Sequence, residues 1–391
     1  MDFEQWWLLA IPASFGVGWL AARVDLRTLL AESGKLPRSY FKGLNFLLNE
    51  QPDRAIDAFV EVVKLDPETI ELHYALGSLF RRRGETERAI RMHQNLLSRP
   101  DLPVEQRGHT LFELGQDYLK AGLLDRAEEA FHQLDGTSYG TDAKRNLLAI
   151  FQLEKEWHKA IAVAQELQQS GAGSNQVRIA QFHCELAQIA INESRLEDAK
   201  LHLEAALAEN RKSVRALMLS GDIAAQQGRD LDAIATWKRI EQLSLPHVAL
   251  VGERLMDAFR RQGLVDEGLK LLKSYLEESP STDLIDVVVK ATYEAEGAEA
   301  AHAEARAALQ HSPSLLMLGQ YLDMRSLVAT NEERGILEVV RNLVQNHTRL
   351  IGRYTCTNCG FKARQFYWQC PGCSNWETYL PRRSEELGAL L

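Results

Sequence analysis

The middle of the chain repeats one polar and apolar pattern at a nearly fixed interval. A small residue opens a helix just after charged neighbours: Ala55 in Pro-Asp-Arg-Ala-Ile, Ala89 in Thr-Glu-Arg-Ala-Ile, Ala127 in Leu-Asp-Arg-Ala-Glu, Ala160 in Trp-His-Lys-Ala-Ile. Ala199, Ala233, Gly268 and Ala301 continue the series, at successive spacings of 34, 38, 33, 39, 34, 35 and 33 residues. Twelve residues before four of these positions stands a glycine, at Gly43, Gly77, Gly115 and Gly221. An aromatic follows the first three glycines, at Phe46, Phe80 and Tyr118, and prolines close units at Pro67, Pro280 and Pro313. The pattern predicts pairs of helices, A and B. The glycine of A and the small residue of B let the two approach, the aromatic fills the gap, and proline ends helix B.

One such pair cannot bury its apolar face alone, so neighbouring pairs must stack. The period near 34 residues, with these residues in place, resembles the tetratricopeptide repeat. The resemblance covers residues 36–346 as about nine repeats: eight that carry the motif, over 36–311, and a degenerate ninth over 315–345. Extra residues near 100–106, 136–140 and 171–176 account for the longer periods. The expected fold is all-α, a tetratricopeptide-repeat superhelix whose A helices line a concave, partner-binding face. Projected from the register, that face carries Arg81, Arg82, Gln116, Arg215, Asp222, Asp257 and Arg260. The lysine and asparagine with which some repeats clamp a C-terminal carboxylate are replaced by Tyr40 and Leu44, so recognition of a peptide terminus is not expected.

The N-terminus breaks the pattern. Residues 6–22 carry no charge and include Trp6, Trp7 and Trp19. Seventeen helical residues reach roughly 26 Å, close to a hydrocarbon core of about 30 Å, and tryptophans suit its two interfaces. Asp2 and Glu4 stand where a signal peptide needs basic residues. Arg23, Arg27, Lys35 and Arg38 follow the apolar run, which directs the C-terminal side to the cytoplasm and the N-terminus to the periplasm. Residues 1–23 are therefore expected to be a single membrane anchor and 24–35 a juxtamembrane linker.

Four of the five cysteines lie in the last forty residues, as Cys356-Thr-Asn-Cys359 and Cys370-Pro-Gly-Cys373. Each pair aims two thiolates at one point, and the two pairs supply four ligands to a tetrahedral ion. Four thiolates close the coordination sphere, so the ion is expected to be structural rather than catalytic. Gly360 after the first pair and Gly372 inside the second are expected to let the backbone turn its N–H groups toward sulfur. Tyr354, Phe361, Phe366, Tyr367, Trp368, Trp376 and Tyr379 crowd this stretch, which is too short to fold on apolar burial alone. The two knuckles resemble those of rubredoxins and zinc ribbons, with a much shortened sheet between them. One iron or zinc ion fits: zinc by affinity and geometry, iron by the rubredoxin likeness. The metal-binding domain and tail are expected over residues 347–391.

Composition narrows the function. The chain has 391 residues, 45% of them hydrophobic and 25% charged, which is ordinary globular material. A formal net charge of −9 argues against general nucleic-acid binding. Paired knuckles without further cysteines suit a reducing compartment, and Cys184 lies on an apolar helical stripe where it reads as a core residue. No phosphate loop, His-Glu-x-x-His or Gly-x-Ser-x-Gly is present, and His73, His93 and His132 occupy helical positions that packing explains. No enzymatic activity is expected.

Anchor, repeats and knuckle, in this order and over essentially the whole chain, resemble the lipopolysaccharide assembly protein B family. The segment Arg353-Tyr-Thr-Cys-x-x-Cys-Gly-Phe and the Cys-Pro-x-Cys before Trp376 carry the match. The resemblance implies an inner-membrane adaptor of Gram-negative bacteria. Such an adaptor helps the membrane protease FtsH degrade LpxC, the deacetylase that commits precursor to lipid A, and an inner-membrane regulator that senses lipopolysaccharide opposes it. A membrane-tethered scaffold for lipopolysaccharide synthesis enzymes would need the same surface.

Overall fold

The computed structural model describes residues 38–49, 51–65, 70–351 and 354–383. The expected anchor and linker lie outside these residues, and among the described residues no helix is long and apolar enough to cross a membrane. The described chain is helical almost throughout and falls into two compact units, divided between Glu154 and Lys155.

The first unit holds α1 (Arg38–Leu48), α2 (Pro52–Leu65), α3 (Ile70–Arg83), α4 (Thr86–Leu97), α5 (Val104–Lys120), α6 (Leu124–His132) and α7 (Gly140–Glu154). The second begins with α8 (Trp157–Gln169), α9 (Gln176–Asn192), α10 (Leu196–Glu209), α11 (Val214–Gln226) and α12 (Asp230–Leu243). A 3-10 turn, Leu245–Leu250, then precedes α13 (Gly252–Arg261), α14 (Val265–Glu278), α15 (Thr282–Glu296), α16 (Ala298–His311), α17 (Leu315–Val328) and α18 (Asn331–Ile351). Two short strands follow, β1 (Tyr354–Thr355) and β2 (Lys362–Ala363), paired antiparallel with Tyr354 opposite Ala363.

The small residues do what the pattern predicts. Ala55, Ala89, Ala127, Ala160, Ala199, Ala233 and Ala301 have no solvent-exposed surface. Within each unit, helices pack against their sequence neighbours, and A helices also touch the next A helix, as α3 touches α5, α9 touches α11 and α13 touches α15. The ring that lies against each helix A glycine is not the predicted neighbouring aromatic, however. It comes from helix B, sixteen residues on. A methyl group on Gly43 would come within 2.7 Å of Phe59, and one on Gly115 within 2.7 Å of Phe131. His93 covers Gly77 and Trp237 covers Gly221 in the same way. A bare Cα on one helix is what admits a ring from the other.

The turns between A and B share one geometry. Gly84, Gly122, Gly228 and Gly263 have φ near +75°, and the next residue donates its N–H to a carbonyl five residues back, for example Glu85 to Phe80 at 2.9 Å and Leu264 to Phe259 at 2.9 Å. This is the glycine-closed helix end that satisfies carbonyls the helix leaves orphaned. Ser194 adopts the same conformation at φ 61° without glycine.

Candidate metal centre

The two Cys-x-x-Cys segments form superposable loops, fourteen residues apart. In the first, the Cys356 N–H donates to the Phe361 carbonyl at 2.9 Å and the Gly360 N–H to the Cys356 carbonyl at 2.9 Å. In the second, the Cys370 N–H donates to Asn375 at 2.8 Å and the Ser374 N–H to Cys370 at 2.8 Å. The residue after each second cysteine takes the left-handed conformation, Gly360 at φ 75° and Ser374 at φ 56°. Gly372 turns its N–H toward sulfur as expected, donating to Cys370 Sγ at 3.4 Å, and it also packs closely: a Cβ there would lie 3.2 Å from Phe361. Bridges between Cys356 and Tyr379 and between Gln369 and Trp376 complete the miniature sheet.

The four sulfurs converge, all within 4.8 Å of one another. Cys356 Sγ lies 3.9 Å from Cys373 Sγ, and Cys359 Sγ lies 3.6 Å from Cys370 Sγ. A tetrahedral ion with metal–sulfur bonds of about 2.3 Å separates its ligands by about 3.8 Å, so the donor set fits a closed tetrathiolate ion, iron or zinc. Around Cys356, burial works against ionisation, yet the Thr378 hydroxyl and the N–H groups of Cys359 and Asn358 bring its thiol down to about 6. The Asn375 N–H and the Asn358 side chain lower Cys373. At Cys359 the Phe361 N–H favours the thiolate, but burial and the three neighbouring thiols push it up to about 12. Four negative sulfurs this close need a cation among them. Cys356 and Cys370 are buried and Cys359 is exposed, so one edge of the site faces solvent.

The knuckle does not stand apart from the repeats of the second unit. Trp376 is wedged edge-on between Trp157 of α8 and Phe182 of α9, with ring centroids 6.2 and 5.9 Å apart. Beside it runs a polar chain: Glu377 accepts from Gln181 at 2.7 Å, Gln181 accepts from Arg215 at 3.2 Å, and Arg215 pairs with Glu185 at 2.8 Å. Burial raises the Glu377 carboxyl above its ordinary range, against the pull of Gln181. Trp368 stacks on His247 of the 3-10 turn, with centroids 6.0 Å apart and planes 14° from parallel, and Arg215 lies 5.9 Å from its ring. At the far edge Asp283 of α15 accepts from Tyr354 Oη at 2.5 Å and pairs with Arg383 at 2.7 Å, while Arg382 donates to Ser279 at 3.0 Å. The seat is thus built from α8, α9, α11, the 3-10 turn and α15.

This docking changes the meaning of one candidate residue. Arg215, projected onto a partner surface, is buried and engaged by Gln181, Glu185 and Trp368. The other candidates divide. In the first unit, Arg81 is held between Glu113 at 2.6 Å and Asp117 at 2.7 Å, Gln116 is half-buried, and Arg82 is exposed. In the second, Asp222 pairs with Arg254 at 2.8 Å, and burial keeps its carboxyl above the ordinary range despite that partner. Asp257 and Arg260 pair with each other, and Arg260 reaches Glu294 at 2.5 Å. Both line a cleft of about 310 Å³ between α13 and α15, together with Arg254, Asp283, Asp286 and Lys290. Asp283 therefore belongs both to the cleft wall and to the knuckle's seat. Sequence reasoning missed His247, Gln181 and Asp283; the Leu-Pro-His at 245–247 was the one local signal, since proline there interrupts the start of a helix A. Cys184 is fully buried, and burial pushes its thiol up to about 12. His93 is a buried packing residue paired with Asp117 at 2.5 Å, whereas His132 is half exposed.

Comparison with known proteins gives two family matches: residues 354–379 match the rubredoxin metal binding domain, and residues 42–93 and 184–244 match the tetratricopeptide repeat. Lipopolysaccharide assembly protein B of Escherichia coli (strain K12) is 35% identical over 379 residues, covering 96% of this chain and 97% of that protein. The protein of the same name from Haemophilus influenzae (strain ATCC 51907 / DSM 11121 / KW20 / Rd) is 29% identical over 391 residues, covering 97% and 98%.

Proposed function

From the premise that the chain belongs to the lipopolysaccharide assembly protein B family, we propose that it is a non-catalytic adaptor of lipopolysaccharide assembly, anchored in the inner membrane by residues 6–22. In this reading it promotes degradation of the deacetylase LpxC by the protease FtsH, and a lipopolysaccharide-sensing regulator opposes it. The observation that supports an adaptor most is the seating of the knuckle on α8, α9, α11, the 3-10 turn and α15, beside a charged cleft. Asp283 joins the two: it anchors Tyr354 and Arg383 of the knuckle and lines the cleft that holds Asp257 and Arg260.

The division of labour follows from physical chemistry. Cys356, Cys359, Cys370 and Cys373 would hold the ion, which when bound supplies folding free energy on the order of 10 kcal/mol to a segment whose own core is no more than a small cluster around Tyr354, Ala363 and Tyr379. Trp376, Trp368 and Arg383 then hold the folded knuckle on the repeats. The remaining candidate groups, Arg82 and Gln116 on the first unit and Asp222, Asp257 and Arg260 on the second, are the proposed partner-binding residues of each unit. Confinement to the membrane raises the effective concentration near a membrane protease without any new contact.

The test is the half-life of LpxC in cells carrying the full chain, the chain without residues 1–22, or no chain. The adaptor reading expects the half-life to lengthen in both deletions while the truncated protein stays folded and metal-loaded. An unchanged half-life in cells lacking the whole chain would replace it with a scaffold for synthesis enzymes.

A further inference from the structure

The last repeat helix, α18, carries an apolar stripe that no described residue covers. Ile336, Val339, Val340 and Leu343 are 72%, 62%, 38% and 56% exposed, and their spacing sets them on one face of the helix. A different face packs on α17: Val344 is buried and would lie 3.7 Å from a Cβ on Gly319, and Arg341 reaches Asp323 at 3.6 Å. Inside a repeat array each such outward face is covered by the next repeat, and a terminal helix needs a polar one. The pattern on α18 is apolar instead, and it reads the same in both directions. Val339 and Val340 flank its midpoint, Ile336 and Leu343 lie one turn out on either side, and Glu332 and His347 lie two turns out. We infer that α18 pairs with α18 of a second copy of this chain, antiparallel, about a two-fold axis between Val339 and Val340.

An axis there makes the interface self-complementary. It sets Ile336 of each copy against Leu343 of the other, Val339 against Val340, and Glu332 against His347. The charges agree. Residues 331–339 carry Glu332, Glu333 and Glu338 against Arg334, whereas residues 340–351 carry Arg341 and Arg349 and no acid. Antiparallel copies therefore lay an acidic half on a basic half, and a parallel pair would stack like on like. The acidic half also disfavours an anionic membrane surface as the occupant, which draws apolar faces flanked by lysine and arginine. From Glu332 to His347 the stripe runs roughly 24 Å along a helix about 10 Å wide. Two such faces bury less than the roughly 1,200 Å² at which stable specific interfaces begin. The dimer is accordingly weak, with a dissociation constant on the order of 10–100 µM. Under the proposed anchoring, confinement of both copies to one membrane raises their effective concentration.

Sedimentation velocity of the full chain in detergent, over about 5–200 µM to bracket that constant, tests the pairing. Wild type should pass from monomer to dimer across the range. Val339→Glu, at an exposed position that leaves the packing of the monomer alone, places two unpaired carboxylates beside the axis and should weaken the dimer by about 100-fold. Val339→Lys should do the same, and an equimolar mixture of the two variants should recover dimer that neither forms alone. A dimer held elsewhere on the chain would ignore all three. A wild-type chain that stays monomeric overturns the proposal, as does a dimer that Val339→Glu leaves intact or a mixture that recovers nothing. Should the wild type be monomeric, slower exchange of the α18 amides in vesicles of phosphatidylethanolamine and phosphatidylglycerol than in detergent would give the stripe to the bilayer, and equal exchange would give it to a different protein.

Discussion

Replacing Trp376 by alanine separates the two things the knuckle does, folding around its ion and docking on the repeats. Trp376 is 9% exposed, and its indole meets Trp157 and Phe182 edge-on. A tryptophan buries about 150–250 Å², worth about 4–6 kcal/mol at ~25 cal/mol per Å². Counting half of that area as contact with the seat gives about 2–3 kcal/mol. The two edge-to-face pairs add about 0.5–1.5 kcal/mol each. Docking should therefore weaken by about 3–5 kcal/mol, in the range measured for removing a buried tryptophan. Hydrogen exchange should show α9 and the knuckle losing protection together by about a hundredfold or more. Metal content should stay at one tetrathiolate ion per chain, because the four ligands are cysteines that the substitution leaves in place. A loss of protection under fivefold, or loss of the ion along with docking, would refute the division between folding and seating.

Other substitutions probe the same logic elsewhere. Gly221→Ala places a methyl group in the Trp237 indole, whose N–H donates to the Met218 carbonyl at 3.1 Å; overpacking and the lost bond should cost about 2–4 kcal/mol in a denaturant midpoint, after the helix-propensity gain of about 1 kcal/mol. Ser194→Gly should raise stability by about 1 kcal/mol, and Gly228→Ala should lower it by a similar amount, since both sit in the left-handed turn that charges side chains about 1–2 kcal/mol. Burial holds His247 down to about 4. An unfolded histidine takes up its proton near pH 6.5, whereas this one resists until about 4, so the unfolded state binds more protons between those values and stability falls as pH drops through that window. In His247→Leu the slope of stability between pH 6.5 and 4 should flatten by on the order of 2–3 kcal/mol in total.

What the sequence made legible was whatever is periodic or chemically exclusive. The small residues at Ala55 through Ala301 report a buried contact because no other residue fits between two close helices, and their spacing survives variation in everything around them. The four cysteines identify their own partners, since few arrangements other than a tetrathiolate use two such pairs. The rings that cover Gly43, Gly77, Gly115 and Gly221 were also readable, sixteen residues downstream, but a phenylalanine, a histidine, another phenylalanine and a tryptophan do not look like one motif. Ser374 and Ser194 conceal left-handed turns because serine carries no sign of a positive φ. The seat of the knuckle was beyond reach for a different reason. Arg215 sits where a helix A residue faces outward, and no local pattern tells whether solvent, a partner or residues 150 positions away will cover it. Gln181 to Glu377 and Asp283 to Arg383 are contacts of that kind, made by tertiary packing between segments whose own preferences are silent about each other.

The central claim is that a metal-folded knuckle, seated on the repeats, is part of the working adaptor surface. The most direct measurement is the half-life of LpxC in cells whose chromosomal copy carries Cys356→Ser, Cys359→Ser, Cys370→Ser and Cys373→Ser together, with the chain's abundance and helical content matched to wild type. The account predicts a half-life lengthened to that of cells lacking the chain. A half-life equal to wild type, in protein shown to hold no tetrathiolate ion, would contradict it.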